Sequence, residues 1–541
     1  MRKYLSYFFS VTGPYRWALS LSVLCSVVLA VCSFFYVYFS KALVDVATGQ
    51  AGGNLAGLGG AFAAVILLRI GSRALRTWLQ SKSVFQMKNA LRQRQFDALL
   101  QLTAPSREKL HSGDLINRLE GDVDAVSNAA CLTLPNLIGT GLQFCVAFGY
   151  LVWLDARLAW ILLLVIPLGL VAARFVLRKM RSMSRDVREG DSRVQSHMQE
   201  SLQHQTLIKA LEYDGQSSMN LTSLQSDVYK NSLRRTRFGI AANVLTALCF
   251  SGSYALAFLW GVYGIAAGTV TYGMMTAFLQ LVNQVQRPLA EMGDQLPSLF
   301  HSTASVDRLL ELDAMEKEPL REPRMLVGVA GIQVEKLCFA YPGASEAVFT
   351  DFSYCFAPGS KTAIVGETGV GKTTLIKLIL SLQQPVSGSL SFYNETGERV
   401  PCSGATRCNL IYVPQGNSLI SGTVRDNLRM GDPDADEEKL RQVLHTAAAD
   451  FVLSLPGGLD AQCFEAGGGL SEGQAQRIAI ARGLLRPGSV LLLDEFSSAL
   501  DEATEKTLLE RLTAEYPDKT MIFITHRGIV TQYCEQTLKL S

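Results

Sequence analysis

Long apolar runs in the first three hundred residues constrain this chain more than any other feature. They lie near 17–39, 55–79, 133–154, 158–177, 241–266 and 272–285. A bilayer core needs ~20 apolar residues of helix, because every backbone N–H and C=O inside it must be bonded within the segment. Most of the six runs approach or exceed that length; the last is shorter and ends in Asn283 and Gln284. Six spans are expected. Charge agrees: 18% of the 541 residues are charged, against ~25% in an average soluble protein. Setting aside six spans of ~20 residues returns the remainder to an ordinary soluble density, so the deficit is local. A tail-like disordered chain is excluded, and a net charge of +2 argues against a dedicated nucleic-acid binder.

Loop charges orient the spans. Arg2 and Lys3 precede the first. Lys82, Lys88, Arg92, Arg94, Arg107 and Lys109 follow the second, and Arg178, Lys179, Arg181, Arg185, Arg188 and Arg193 follow the fourth. The remaining loops are short and nearly neutral, so both termini are expected in the cytoplasm. Residues 1–12, with Tyr4, Leu5, Phe8 and Phe9, read as a short interfacial helix. Trp153, Trp160 and Tyr150 read as interfacial anchors. The stretches after spans two and four are charged, proline-poor and helical in spacing, so spans two to five are expected to run on into the cytoplasm, turning near 103–113 and 205–216. Pro319 and Pro323 mark a boundary. Beyond it, strands of Val, Ile and Leu alternate with polar helices in an α/β pattern. The expected division is a membrane domain at 1–315, a linker at 316–330 and a cytoplasmic domain at 331–541. The eleven cysteines include no CxxC pair and are expected as reduced, buried thiols.

Within the cytoplasmic part, the apolar strand 361–365 is followed by Gly366, Glu367, Thr368, Gly369, Val370, Gly371, Lys372 and Thr373, then Thr374 and a helix. This is G-x4-G-K-[ST] in strand–loop–helix context. The glycines let N–H groups converge on phosphate oxygens, and the new helix adds its positive end. Lys372 would reach the outer phosphates and Thr373 would ligate Mg²⁺. A second apolar strand, 490–494, ends in Asp494 with Glu495 next. It is expected beside the first strand, so that Asp494 supports Mg²⁺ and Glu495 activates the attacking water. Ser471-x-x-Gln474 has capping-box spacing after three glycines, which makes a second anion cradle. One nucleotide does not need two cradles unless the second serves a neighbour.

These motifs resemble the ATP-binding cassette (ABC) family, in particular the exporter-type half-transporters. The resemblance covers nearly the whole chain. Gly366–Thr373 matches Walker A, Leu470–Gln474 the signature as LSEGQ, Val490–Asp494 Walker B and Glu495 the catalytic glutamate. Ser498–Asp501 matches the D-loop, Gln415 the Q-loop, His526 the H-switch, and Tyr341 the aromatic that stacks on adenine. The resemblance implies an all-α membrane domain of six transmembrane helices with long cytoplasmic extensions, then an α/β P-loop ATPase domain with a helical subdomain. It implies ATP and Mg²⁺ as cofactors, with Thr373, Gln415 and, through water, Asp494 at the metal. It implies that Ser471, Gly473, Gln474 and Asp501 serve in trans in the ATP site of a second half-transporter, expected to be an identical chain. The turns near 103–113 and 205–216 resemble coupling helices. Two departures stand out: Phe464-Glu465-Ala466-Gly467 replaces the usual Gly-Glu before the signature, and the chain stops fifteen residues after His526, where a final hairpin and helices are expected.

The implied function is ATP-driven export or flipping of an amphiphilic lipid, peptide or drug-like substrate across a plasma or bacterial inner membrane, with membrane lipid but no nucleic acid as partner. The alternative is an ATP-gated channel or regulator, against which the intact Glu495 and His526 argue. Arg69, Arg73 and Arg76 share one face of the second span at spacings of four and three. An ionisable residue at membrane depth faces a cavity or a partner, so Arg69 and Arg73 are the candidates for a cavity that takes an anionic amphiphile. Snorkelling at the interface competes for Arg73 and Arg76.

Overall fold

The computed structural model describes the backbone of every residue except 1–6, 9, 109–111, 320, 345 and 465–468. It describes the side chains of the rest except 108, 112–114, 158, 161–178, 181, 246, 249, 290 and 294. Contacts divide the chain into two units, Met1–Asp97 with Ser112–Ala314, and Ala98–His111 with Met315–Ser541.

The first unit is built on long helices: α1 (Arg16–Ala47), α2 (Leu55–Leu100), α3 (Leu115–Leu154), α4 (Ala156–Gln203), α5 (Asp214–Ala266) and α6 (Tyr272–Ala314). Among the described residues, α1 with its leading turn, α2, α3 and α5 are long and apolar enough to cross a membrane. The run expected at 158–177 falls on α4, largely on side chains outside the described residues; the run expected at 272–285 opens α6. Helix α1 packs through small residues and leaves its larger apolar ones outside. Helix α1 buries Ser22, Cys25, Ser26, Ala30, Cys32, Ser33 and Val37, while Leu21, Leu24, Val27, Val31, Phe35 and Tyr38 stay exposed. Lipid gives large apolar side chains no reason to turn inward, and small residues let helix backbones approach. Gly139 of α3 marks the approach: a Cβ there would stand 2.9 Å from Ser26.

Helix α1 is fastened to the start of α6. The buried Asp45 carboxylate accepts Gly273 N–H at 2.9 Å, and Gln50 Oε1 accepts Tyr272 N–H at 3.0 Å. These bonds satisfy N–H groups that a helix start leaves open. Two side chains depart from expectation. Tyr150 is buried edge-on to Phe34, with ring centroids 4.6 Å apart, and is not an interfacial anchor; Trp153 and Trp160 are exposed. Phe8, expected at the membrane surface, is buried in one apolar cluster with Met87, Leu91 and Leu309; Tyr4, Leu5 and Phe9 lie outside the described residues. After Leu102 the chain turns into a short helix, Ala104–Glu108, held where Glu318 N–H donates to Gln101 O and Thr103 N–H to Glu316 O. The other turn follows the short helix Gln205–Ala210 and passes through Glu212 at φ +50°.

The second unit carries β1 (Ala330–Phe339), β2 (Phe349–Phe356), β3 (Lys361–Val365), β4 (Ser387–Asn394), β5 (Arg399–Pro401), β6 (Leu410–Val413), β7 (Gly422–Thr423), β8 (Gln462–Cys463), β9 (Val490–Asp494), β10 (Thr520–Ile524) and β11 (Gln536–Lys539). One sheet runs β2-β1-β4-β5 and is antiparallel; the other runs β11-β3-β10-β9-β6 and is parallel. Every residue of β9 and β10 is buried, as a sheet covered on both faces requires. Strand β9 is not beside β3: β10 lies between them and pairs with both. Parallel strands are joined by crossovers, so a later strand can enter between two earlier ones. The helices that matter for the site are α7 (Lys372–Ile379), α8 (Glu472–Leu484) and α9 (Glu502–Glu515). Among the described residues the cysteines are free, and not uniformly buried: Cys25, Cys32, Cys131 and Cys463 are, whereas Cys145 and Cys355 are exposed.

Candidate nucleotide site

The loop after β3 is shaped by glycine. Gly369 and Gly371 take φ +95° and +104°, a region closed to most L-residues. A Cβ on Gly371 would also stand 2.6 Å from Val348 Cγ1. This curls the loop over the start of α7, whose first-turn N–H groups have no partner within the helix. Lys372, 6% exposed, folds back into the loop. Its Nζ donates to Gly366 O at 2.7 Å and Glu367 O at 3.1 Å, and lies 2.9 Å from His526 Nε2. Thr373, Glu367, Thr368 and Gly369 are exposed, with Gly366 and Val370 half-buried. Thr374 is buried and shares a hydrogen bond of 3.2 Å with the Tyr341 hydroxyl. That bond fixes the Tyr341 ring, with Lys377 Nζ 5.8 Å from its centroid.

The strand order explains how the remaining groups meet. Because β10 enters between β3 and β9, His526, just past its end, stands between Lys372 and Glu495. Its Nε2 is 3.4 Å from Glu495 Oε1, and Gln415 Nε2 donates to Glu495 Oε2 at 2.6 Å. Nε2 can accept from Lys372 only without a proton, so that bond and a donated bond to Glu495 exclude each other. Glu495 sits at φ +46°, strained for a residue with a Cβ; its N–H donates to Ile524 O and its carbonyl accepts from Ser498 N–H. Asp494 is 3% exposed. Burial, then the neighbouring Glu495 charge, push its carboxyl up to about 6 against the opposing pull of Lys372. The oxygen donors of Asp494, Thr373 and Gln415 fit a hard divalent cation.

The second cradle forms as spaced. Ser471 Oγ accepts Gln474 N–H at 3.2 Å, and Gln474 Oε1 accepts Ser471 N–H at 2.9 Å. The hydroxyl proton of Ser471 is left to donate. A Cβ on Gly473 would stand 2.5 Å from Ala499 O, so only glycine lets α8 approach that loop. Asp501 caps α9 by accepting from Thr504 N–H and Oγ1, and the Thr504 hydroxyl chiefly holds its carboxyl below the usual range. Among the described residues no hydrogen bond or ion pair joins Ser471, Gly473, Gln474 or Asp501 to the loop around Lys372. Phe464, 63% exposed, points into solvent beside Gly469; Glu465 lies outside the described residues.

In the first unit, Arg69 lies over the Tyr36 ring at 5.5 Å, Arg73 is exposed, and Arg76 Nη1 reaches Ser26 Oγ at 3.4 Å with its Nε buried and without a partner. Among the described residues none of the three has a carboxylate within ion-pair distance. Two groups next to the nucleotide set escaped the sequence reading, Arg527 and Glu505. The signal was there: Glu505 occupies a core-facing position with Leu508, Leu509 and Leu512, where a carboxylate requires a cation.

The family described as ABC transporter transmembrane region matches residues 19–289, and the family described as ABC transporter matches residues 349–498. A fatty acid ABC transporter ATP-binding/permease protein of Mycobacterium bovis is 28% identical over 77% of this chain and 66% of its own length. The chain thus spans just under two thirds of that relative. An ATP-dependent lipid A-core flippase of Pseudomonas fluorescens is 29% identical over 79% of this chain and 71% of its own length. The structure of a bacterial Atm1-family ABC exporter with ATP bound superposes with a TM-score of 0.80 over 97% of this chain and 93% of that one, at 22% identity; it shares the fold.

Proposed function

The chain belongs to the ABC transporter family, and from that premise we propose that it is an integral membrane exporter or lipid flippase driven by ATP hydrolysis. The observation that carries this reading is the connected set Gln415–Glu495–His526–Lys372, arranged around a glycine-shaped phosphate loop. ATP takes Lys372 from the Gly366 and Glu367 carbonyls, because a phosphate offers the ammonium a charge where the carbonyls offer only dipoles. Freed of Lys372, His526 turns to the terminal phosphate. Glu495 accepts a proton from the water that attacks the terminal phosphorus. Thr373, Gln415 and, through water, Asp494 would hold Mg²⁺, which when bound neutralises developing phosphate charge. Tyr341, its hydroxyl already engaged by Thr374, offers its ring to the adenine.

Ser471, Gly473, Gln474 and Asp501 serve the nucleotide of a second, identical chain, so two ATP molecules lie between two chains. That, among the described residues, none of them bonds to the Lys372 loop of its own chain supports this. The division into 1–315, 316–330 and 331–541, six spans and cytoplasmic termini complete the reading. The two relatives named for fatty acid and lipid A-core support an anionic amphiphile as cargo, and Arg69 and Arg73, with no carboxylate at ion-pair distance among the described residues, are the groups to meet it. The test is ATP turnover in proteoliposomes of anionic or neutral lipid. Stimulation by the anionic amphiphile should fall at least fivefold in Arg69→Ala; an unchanged preference removes Arg69 from the cargo site. Nucleotide-gated current without turnover would instead favour the channel alternative.

A further inference from the structure

The reaction proposed above leaves unused a charge that the chain buries beside it. Glu505 is 1% exposed on the inward face of α9. Arg527 meets it, Nη1 donating to Oε2 at 2.9 Å, while Oε1 has no partner among the described residues. The same Nη1 donates to Leu500 O at 2.8 Å, and Nη2 donates to Ser498 O at 3.1 Å. One guanidinium thus spans two carbonyls of the loop that leads to Asp501. The backbone of Arg527 is anchored too, its N–H donating to Thr525 Oγ1 at 2.9 Å. His526 is therefore followed directly by a residue whose side chain is bonded to that loop.

The opposite side of that loop packs closely against the start of α8. Ala499 O and Leu500 Cδ2 lie 2.5 and 3.1 Å from where a Cβ of Gly473 would stand. In sequence of contact the order is His526 and Arg527, then Ser498–Leu500, then Gly473 at the start of α8. The first serves the chain's own nucleotide, the last that of the second chain.

We propose that Arg527 is a positioning residue that ties the two nucleotide sites together within one chain. It makes the His526 turn, the 498–501 loop and the start of α8 respond as one body, so that ATP seated at one site sets the geometry of the other. This rests on the two-chain reading above. The guanidinium is suited to the task because its planar fork bridges two carbonyls and a carboxylate at once. A lysine keeps the charge for Glu505 but, as a point donor, does not hold both carbonyls.

The decisive variants are Arg527→Lys, Arg527→Ala and Glu505→Gln in the full chain in proteoliposomes. Arg527→Lys should lower kcat for ATP at least tenfold, with binding of a fluorescent ATP analogue within twofold of wild type and an unchanged melting midpoint. Arg527→Ala should lose more. Glu505→Gln, which leaves both carbonyl bonds, should retain over half of kcat. Amide exchange across 498–501 should quicken at least fivefold in Arg527→Lys. Wild-type kcat in Arg527→Lys, or a loss of kcat matched by an equal loss of nucleotide binding, would overturn the proposal. If the wild-type chain shows no turnover, the exporter reading fails instead; exchange at 498–501 then decides the clamp, and an unchanged rate in Arg527→Lys sinks it.

Discussion

Glu495, the base of the proposed reaction, is held in a strained backbone conformation. Its positive φ turns the carboxylate out of the buried strand β9 towards Gln415 and His526, and two backbone bonds hold it there. Asp494, one residue earlier, keeps the strand direction and stays buried. Adjacent carboxylates are thereby set apart, as the proposed roles, one at the cation and one at the water, require. Glu495→Gln preserves shape and the bond partners but cannot take a proton. It should reduce hydrolysis by at least a hundredfold, with binding of a fluorescent ATP analogue within twofold; turnover near wild type would remove Glu495 from this role.

At the scale of elements, two capping boxes in the same unit do different work. Ser471 with Gln474 opens α8, and Thr423 with Asp426 opens the short helix Val424–Arg429. Either serine or threonine replaced by alanine should cost about 1 kcal/mol of stability. Only Ser471→Ala should also remove most ATP turnover, since only that hydroxyl is assigned to a nucleotide. Chemical denaturation and ATPase rates on the two variants separate the effects, and equal turnover in both would place Ser471 among purely structural caps. The capping box was legible because it depends on four consecutive residues. The phosphate loop was legible for the same reason. The position of β9 was not: pairing across a parallel sheet is settled by crossovers between distant segments, and β10 took the place assigned to it. Tyr150 and Phe8 were misjudged alike, since an aromatic ring in an apolar stretch carries no local sign of whether lipid or protein covers it.

For the whole molecule, the prediction concerns mixed pairs. Lys372→Ala damages a chain's own phosphate loop, and Ser471→Arg blocks the cradle it offers a partner. If sites are shared between two chains, a pair made of one of each holds one intact site, formed by the Ser471→Arg chain's loop and the Lys372→Ala chain's cradle. Each variant alone should be inactive, and the co-expressed mixture should exceed either by more than tenfold in ATP turnover. Turnover no higher in the mixture would mean that the two motifs do not meet across chains.

The sequence by itself determined the membrane character of the first three hundred residues, the phosphate loop, the strand ending in Asp494 and Glu495, and the cap at Ser471. Each follows from residues within one helix, strand or turn, where periodicity and backbone geometry act locally. Tertiary structure alone decided that His526 stands between Lys372 and Glu495, that Tyr341 leans on Thr374, that Asp45 of α1 secures the first residues of α6, and that Arg527 closes over Ser498 and Leu500 to meet a buried Glu505. These contacts join groups far apart in the chain. They exist because buried polar and charged groups must find partners wherever the packing of apolar faces happens to bring them.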